Sequence, residues 1–107
     1  MEDLNTQWER LVDRLEKQFD DEVSLKGILY LIGIQELNFG IKNYSREEKI
    51  NVLHVATCKL LSYYGYYKFN GIDSDGWPHY VELKALHSLS KDEQKNLIKK
   101  AIIKYLN

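Results

Sequence analysis

The chain has 107 residues, of which 44% are apolar and 29% charged, so it is long enough for one domain with its own core and does not have the composition of a disordered segment. A net charge of −1 argues against a protein that holds nucleic acid mainly through its phosphates. A single cysteine excludes an internal disulfide, and the longest apolar patch, residues 27–34, is too short to span a bilayer. We therefore predict one cytoplasmic helical domain over residues 1–107.

The charges are unevenly distributed along the chain. Residues 1–36 carry nine acids and four bases, a net −5, whereas residues 37–107 carry seven acids and eleven bases, a net +4. This asymmetry is compatible with head-to-tail self-association, and solvated helix faces explain it equally well.

The first predicted helix covers residues 5–19. Thr6 and Glu9 have the spacing of a capping box, in which the first turn is closed by reciprocal hydrogen bonds. Its apolar residues repeat with the helical period and predict a face packed on the core: Trp8, Leu11, Val12, Leu15 and Phe19.

The second predicted helix covers residues 24–39, with Ser24 as its N-cap. Residues 28–34 alone would also fit a buried strand, but the length of the apolar pattern favours a helix. Gly27 and Gly33 are unfavourable inside a helix, so we expect them to mark close approach of a second helix.

The third predicted helix, residues 46–64, is expected at the centre of the fold. Ser45 and Glu48 form a second potential capping box, and Gly65 lies where a left-handed C-terminal cap would fall. The helix is apolar around most of its girth, which predicts partners on several sides. Its polar residues share one narrow stripe: Glu47, Asn51, His54, Cys58 and Ser62.

A β-hairpin is predicted between the third and fourth helices, with strands 66–70 and 77–83 and a three-residue loop ending at a left-handed Gly76. Pairing about that loop places Lys68 opposite Glu82 and Phe69 opposite Val81. The core face would then carry Tyr67, Phe69, Val81 and Leu83, and the outer face Tyr66, Lys68, Tyr80 and Glu82. Pro78 places its strand at a sheet edge.

The fourth predicted helix covers residues 90–106 and begins with a third capping box, Ser90 and Glu93. Lysines follow one side of it, which indicates a solvent face. The expected fold class is therefore mainly α: a single four-helix domain with a hairpin between helices three and four.

Two clusters could carry metal or thiol chemistry. Asp73, Asp75 and Glu82 match part of a calcium-loop pattern, although the flanks are predicted strands and Asp-Gly turns are common in hairpins for geometric reasons alone. His54 and Cys58 are one helical turn apart, as two metal ligands or a thiol with its base would be. A small cysteine at a packing boundary is the simpler interpretation, so we expect no cofactor and no metal.

Aromatic residues with polar tips are concentrated around the hairpin, and such residues are enriched at protein interfaces. Some of these rings should turn into the core. The candidate partner-binding residues are Tyr63, Tyr66, Tyr67, Trp77, His79 and Tyr80.

Several strings resemble a group of small uncharacterised bacterial proteins of about this length: Gly65-Tyr66-Tyr67, Asp75-Gly76-Trp77-Pro78-His79-Tyr80, Gly33-Ile34-Gln35-Glu36-Leu37 and Asn51-Val52-Leu53-His54. The resemblance implies a bacterial source and a stand-alone domain. It implies no activity.

The leading hypothesis is an interaction domain that binds a protein partner or a second copy of itself through the aromatic surface. The alternative is a winged-helix-like nucleic-acid binder with residues 46–64 as the reading helix and residues 73–76 as the wing tip, although the acidic tip argues against nucleic acid. An enzyme is a third possibility, with His79 at the edge of an aromatic pocket. We do not expect one, because no nucleophile, base and orienting group can be assembled from the sequence.

Overall fold

The computed structural model describes residues 2–40 and 42–107, which leaves Met1 and Ile41 outside the description. The described residues form α1 (Leu4–Phe19), α2 (Leu25–Glu36), α3 (Arg46–Ser62), β1 (Tyr67–Ile72), β2 (Pro78–Glu82), a short 3-10 turn (Leu86–Ser88) and α4 (Lys91–Leu106). The predicted mainly-α arrangement, with an antiparallel hairpin between the third and fourth helices, is confirmed.

Two of the three predicted capping boxes are present. At the start of α3 the Ser45 hydroxyl accepts from the Glu48 N–H at 3.1 Å, and the Glu48 carboxylate accepts from the Ser45 N–H at 2.9 Å. Ser90 and Glu93 repeat this pair of bonds at the start of α4, both at 3.0 Å. These bonds satisfy backbone donors that the first helical turn would otherwise leave unpaired.

The predicted capping box of the first helix is wrong. α1 begins at Leu4, and the carboxylate of Asp3 accepts from the Thr6 N–H at 2.8 Å. Asp3 supplies a cap one turn ahead of the predicted one, so Thr6 and Glu9 lie inside the helix.

The second helix is confirmed as a helix, which rules out the strand alternative for residues 28–34. Ser24 is its N-cap, as predicted, but it ends at Glu36, three residues early, because Leu37 takes an extended conformation and is buried. Gly33 does mark a close helix contact: a methyl group there would overlap the Val52 carbonyl oxygen of α3. The expectation for Gly27 is wrong, since a Cβ there would meet only the Ser24 hydroxyl, at 3.2 Å.

The main core lies where the four helices meet, and α3 is the most deeply enclosed of them. Each helix contributes two buried residues to this core: Leu11, Leu15, Ile28, Ile32, Ala56, Leu60, Ala101 and Ile102. The Schellman-type end of α3 carries the chain out of the core: the Gly65 N–H donates to the Ser62 carbonyl and the Tyr66 N–H to the Leu61 carbonyl, both at 3.2 Å. Gly65 has φ +78°, the predicted left-handed cap.

The hairpin packs against α3 and is anchored at its loop end. The Trp77 ring lies edge-on to the Phe39 ring with centroids 5.4 Å apart, beside a second buried cluster of Leu37, Tyr44 and Val52. The base of the loop therefore rests on the α2–α3 connection at Trp77, while residues 73–75 are exposed.

The predicted loop is confirmed, but the predicted register is wrong by one residue. Gly76 has φ +90°, and its N–H donates to the Asp73 carbonyl at 3.0 Å. Lys68 pairs with Val81 and Phe69 with Tyr80, and β1 is bulged before Ile72, where two residues of β1 lie opposite one residue of β2. Gly71, within the bulge, has φ +92°, a conformation that favours glycine.

The bulge changes which side chains share a face. Directly opposite residues lie on the same side of an antiparallel pair, so Tyr80 joins Phe69 on the side that packs toward α3. Val81 and Leu83, predicted to face the core, are exposed instead.

Candidate interaction surface on the hairpin

The loop of the hairpin is organised around the carboxylate of Asp73. One oxygen accepts from the backbone N–H groups of Asp75 at 2.9 Å and Trp77 at 3.0 Å, and the other lies 2.7 Å from His79 Nε2. The hydrogen bond with His79, followed by that from Trp77, lowers the pKa of Asp73 below its ordinary value of 3.8. Both oxygens therefore serve the geometry of the turn.

The three calcium candidates are not brought together. Asp73 and Asp75 lie in the loop, whereas Glu82 ends β2 and pairs with Tyr67. An extended strand carries the chain about 13 Å from Pro78, the first residue of β2, to Glu82. Within residues 2–40 and 42–107, no group of three or more His, Cys, Asp or Glu side chains is placed to hold a metal ion. The loop is thus a hydrogen-bonded turn with an acidic tip.

The six aromatic and histidine candidates all reach the surface. His79 is exposed, and the other five, Tyr63, Tyr66, Tyr67, Trp77 and Tyr80, are partly exposed. Two of the rings are covered by lysine: Lys104 Nζ lies 5.0 Å from the centroid of Tyr63, and Lys84 Nζ lies 4.7 Å from that of Tyr66. Cation–π contact of this kind holds a ring while leaving its edge accessible.

Tyr80 lies deeper than its predicted outer position. Burial, with a smaller contribution from the nearby Glu36 carboxylate, raises its pKa to about 12. Glu36 itself accepts a hydrogen bond of 2.6 Å from the Tyr105 hydroxyl, which joins the ends of α2 and α4. Sequence reasoning missed this link, because its two residues are 69 positions apart and no local pattern relates them.

The His54–Cys58 pair is formed, but its chemistry is that of a packing boundary. Cys58 Sγ lies 3.4 Å from His54 Nε2, with His54 exposed and Cys58 completely buried. Burial, and secondarily the charge of Glu82, raises the pKa of the Cys58 thiol to about 11. A protonated, inaccessible thiol is a poor nucleophile and a poor ligand. The predicted polar stripe of α3 is therefore interrupted at Cys58.

The feature that sequence reasoning missed is a set of exposed large apolar side chains. Among the described residues, seven large apolar side chains are exposed, and four of them lie on the hairpin or directly after it: Phe69, Ile72, Val81 and Leu83, which we call the hairpin patch. Their exposed fractions are 45–58%. Phe69 and Ile72 lie on the side of the ribbon that carries Tyr80, and Val81 and Leu83 lie on the other side. Alternation along β1 and β2 predicted that Phe69, Val81 and Leu83 would face the core, and only knowledge of the bulge could have placed Val81 and Leu83 outside.

No family model, curated protein or solved structure matches the chain. In the part of the chain that the structure describes, none of the helices combines the length and the apolar character needed to cross a membrane.

Proposed function

We propose that the protein is an interaction domain whose hairpin binds another protein chain, either a second copy or a different protein. The observation that carries the proposal is the hairpin patch, because it places four of the seven large apolar side chains that are exposed among the described residues on one small supersecondary unit. Exposed apolar surface of this kind is typical of sites that a partner covers.

The candidate aromatic residues support this role from the flanks of the patch. Phe69 lies edge-on to Tyr80, with ring centroids 5.7 Å apart, so these two rings form a continuous aromatic surface on the side of the ribbon toward α3. Val81 and Leu83 lie on the other side of the ribbon. Tyrosine side chains add polar tips that can hydrogen-bond across an interface, and rigid aromatic anchors dominate binding energies. We expect Tyr63, Tyr66, Tyr67, Trp77, His79 and Tyr80 to border the contact.

The hairpin is supported by the rest of the fold, which keeps its exposed side chains in place for binding. α3 supports one face of the ribbon, and the Phe39–Trp77 contact anchors its loop end. A two-stranded ribbon alone is only marginally stable, so this support keeps the patch preformed. A preformed surface loses less conformational entropy on binding than a mobile one.

The winged-helix alternative receives less support from these features. Its wing tip would present the exposed carboxylate-bearing residues Asp73 and Asp75 to phosphate groups. Carboxylates at the tip would repel those phosphates, where a nucleic-acid-binding wing needs basic side chains. No nucleic acid is therefore proposed as a partner. As for the compartment, we propose the cytoplasm, since a single free and buried cysteine fits a reducing environment.

Sedimentation velocity in about 0.5 M NaCl, where charge contacts are screened, tests the proposal. We expect the wild-type protein to sediment faster as its concentration rises and the variant Val81→Ser/Leu83→Ser to lose this behaviour. Leu31→Ser is the matched control, because Leu31 is 46% exposed and lies on α2, away from the hairpin.

The partner can also be a different protein. Pull-downs from the source cytoplasm should then recover a protein with the wild type and the Leu31→Ser control but not with the double-serine variant. A strict monomer whose pull-downs are the same for all three proteins would contradict the proposal.

A further inference from the structure

A second surface is an open groove between the beginnings of α2 and α3. It holds about 650 Å³ of space. Its apolar lining comes from Tyr30, Ile50 and Leu53, and Ile50 is 61% exposed. The groove is distinct from the hairpin patch, because none of its lining residues lies on β1 or β2.

Positive charge surrounds this apolar floor. Lys26, Arg46 and Lys49 line the groove, and no carboxylate is among its lining residues in the described chain. The ion pairs found within residues 2–40 and 42–107 use other cations, namely Arg10, Lys17, Lys42 and His79. The groove therefore fits a segment that carries an apolar side chain next to carboxylates.

The chain itself contains such a segment at the turn between α1 and α2, residues 19–22. Phe19 is 50% exposed, and Asp20, Asp21 and Glu22 are all exposed. Asp20 is left-handed, with φ 53°, which turns the chain sharply at this point. Their carboxylates take part in none of the ion pairs of the described residues.

We propose that residues 19–22 of one copy dock into the groove of a second copy, with the three carboxylates against the three cations and Phe19 against the apolar floor. Glu22 is two residues before Ser24, which lines the groove, so the acidic segment and the groove are neighbours on one surface. A two-fold axis between them lets each copy fill the groove of the other, which closes the assembly as a dimer.

Charge-reversal variants test this contact. They are made in the Val81→Ser/Leu83→Ser background, in which two apolar side chains of the hairpin patch are replaced by polar ones. One variant adds Arg46→Glu/Lys49→Glu and the other adds Asp21→Lys/Glu22→Lys. At about 0.05 M NaCl we expect the parent to dimerise and each charge variant alone to dimerise about a hundredfold more weakly, because like charges then face each other. An equimolar mixture of the two should restore a 1:1 dimer, since both contacts are then again attractive.

Lys91→Glu/Lys95→Glu, a reversal of two exposed lysines on α4, is the control and should dimerise like the parent. Far-UV circular dichroism verifies that each variant is folded. If the lysine substitutions before α2 unfold the protein, the neutral pair Asp21→Asn/Glu22→Gln replaces them and should also weaken dimerisation.

A parent that stays monomeric, charge variants that dimerise like the parent, or a mixture that fails to associate would each overturn the inference. Failure of the groove contact is distinguishable from failure of the hairpin contact. The hairpin contact is measured at high salt in protein with an intact groove. The groove contact is measured at low salt in protein that carries the two serine substitutions in the hairpin.

Discussion

Single residues determine how closely the elements of this protein approach each other, and Gly33 is the clearest case. Glycine costs about 1 kcal/mol relative to alanine inside a helix, so its presence in α2 needs a compensating contact. That contact is with Val52 of α3, whose Cγ1 would lie 2.6 Å from an added Cβ. The sequence could indicate a close helix pair here, but it could not distinguish Gly33 from Gly27.

We predict that Gly33→Ala lowers the free energy of unfolding by about 2 kcal/mol or more, because the backbone of α3 would have to move away. Urea unfolding measures the change. Gly27→Ala is the control and should stay within about 1 kcal/mol of wild type, since the gain in helix propensity opposes crowding of the Ser24 cap. Equal losses for both variants would contradict this account of α2–α3 packing.

A second prediction concerns the reactivity of the Cys58 thiol. Because its thiol is buried and its pKa is raised to about 11, native protein at pH 8 should react with a thiol reagent only as fast as it opens, whereas unfolded protein should react at once. Ellman's reagent measures both rates. Rapid labelling of the folded protein would show that the hairpin does not cover α3 at Cys58.

The same pKa shift has a consequence for stability. The thiol ionises more readily in the unfolded chain, near its ordinary pKa of 9.0, than in the folded one. Its contribution to stability is therefore complete below pH 9 and lost as the pH rises toward 11. Replacing Cys58 by alanine should reduce this alkaline dependence.

At the scale of elements, the helices were largely predictable and the hairpin register was not. Helix positions follow from hydrophobic periodicity and caps such as Ser45 and Ser90, which act within one turn of the chain. The register depends on one extra residue in the bulge near Gly71, and a shift of one exchanges the two faces of a strand. A bulge and an ordinary turn use the same residue types, so composition alone could not separate them.

The loop of the hairpin yields a prediction for Asp73. Its pKa is lowered by the bonds from His79 and Trp77, so its stabilising contribution is present above pH 3.8 and is lost as the pH falls through the lower folded-state value. Asp73→Ala should destabilise the protein at neutral pH, and the difference from wild type should vanish in acid. Chemical denaturation at several pH values measures this.

Asp75→Ala is the matched control for that experiment. Asp75 contributes its backbone N–H to the turn, and the alanine variant retains that group, so we expect little change. A carbon-13 titration that finds the Asp73 carboxyl at its ordinary pKa would contradict the hydrogen-bonded turn.

At the scale of the whole molecule, the fold class could be predicted from the sequence, whereas the candidate surface could be predicted only in its general position. The tyrosines did indicate the hairpin region, and each of the six candidates reaches the surface there. The exposure of Val81 and Leu83 and the enclosure of Cys58 depend on how the ribbon lies across α3, a long-range arrangement that no local pattern encodes.

We propose that the ribbon, held against α3, offers its exposed apolar residues for docking. A dilution series in about 0.5 M NaCl, followed by amide chemical shifts, tests it most directly, because it locates the contact as well as detecting it. When the partner is a second copy, we predict that the shifts that change on dilution fall within residues 66–83 and disappear in the Val81→Ser/Leu83→Ser variant. When it is a different protein, adding that protein should change the same shifts. Changes confined to α1 and α2, or a hairpin with unpaired strands, would contradict the account.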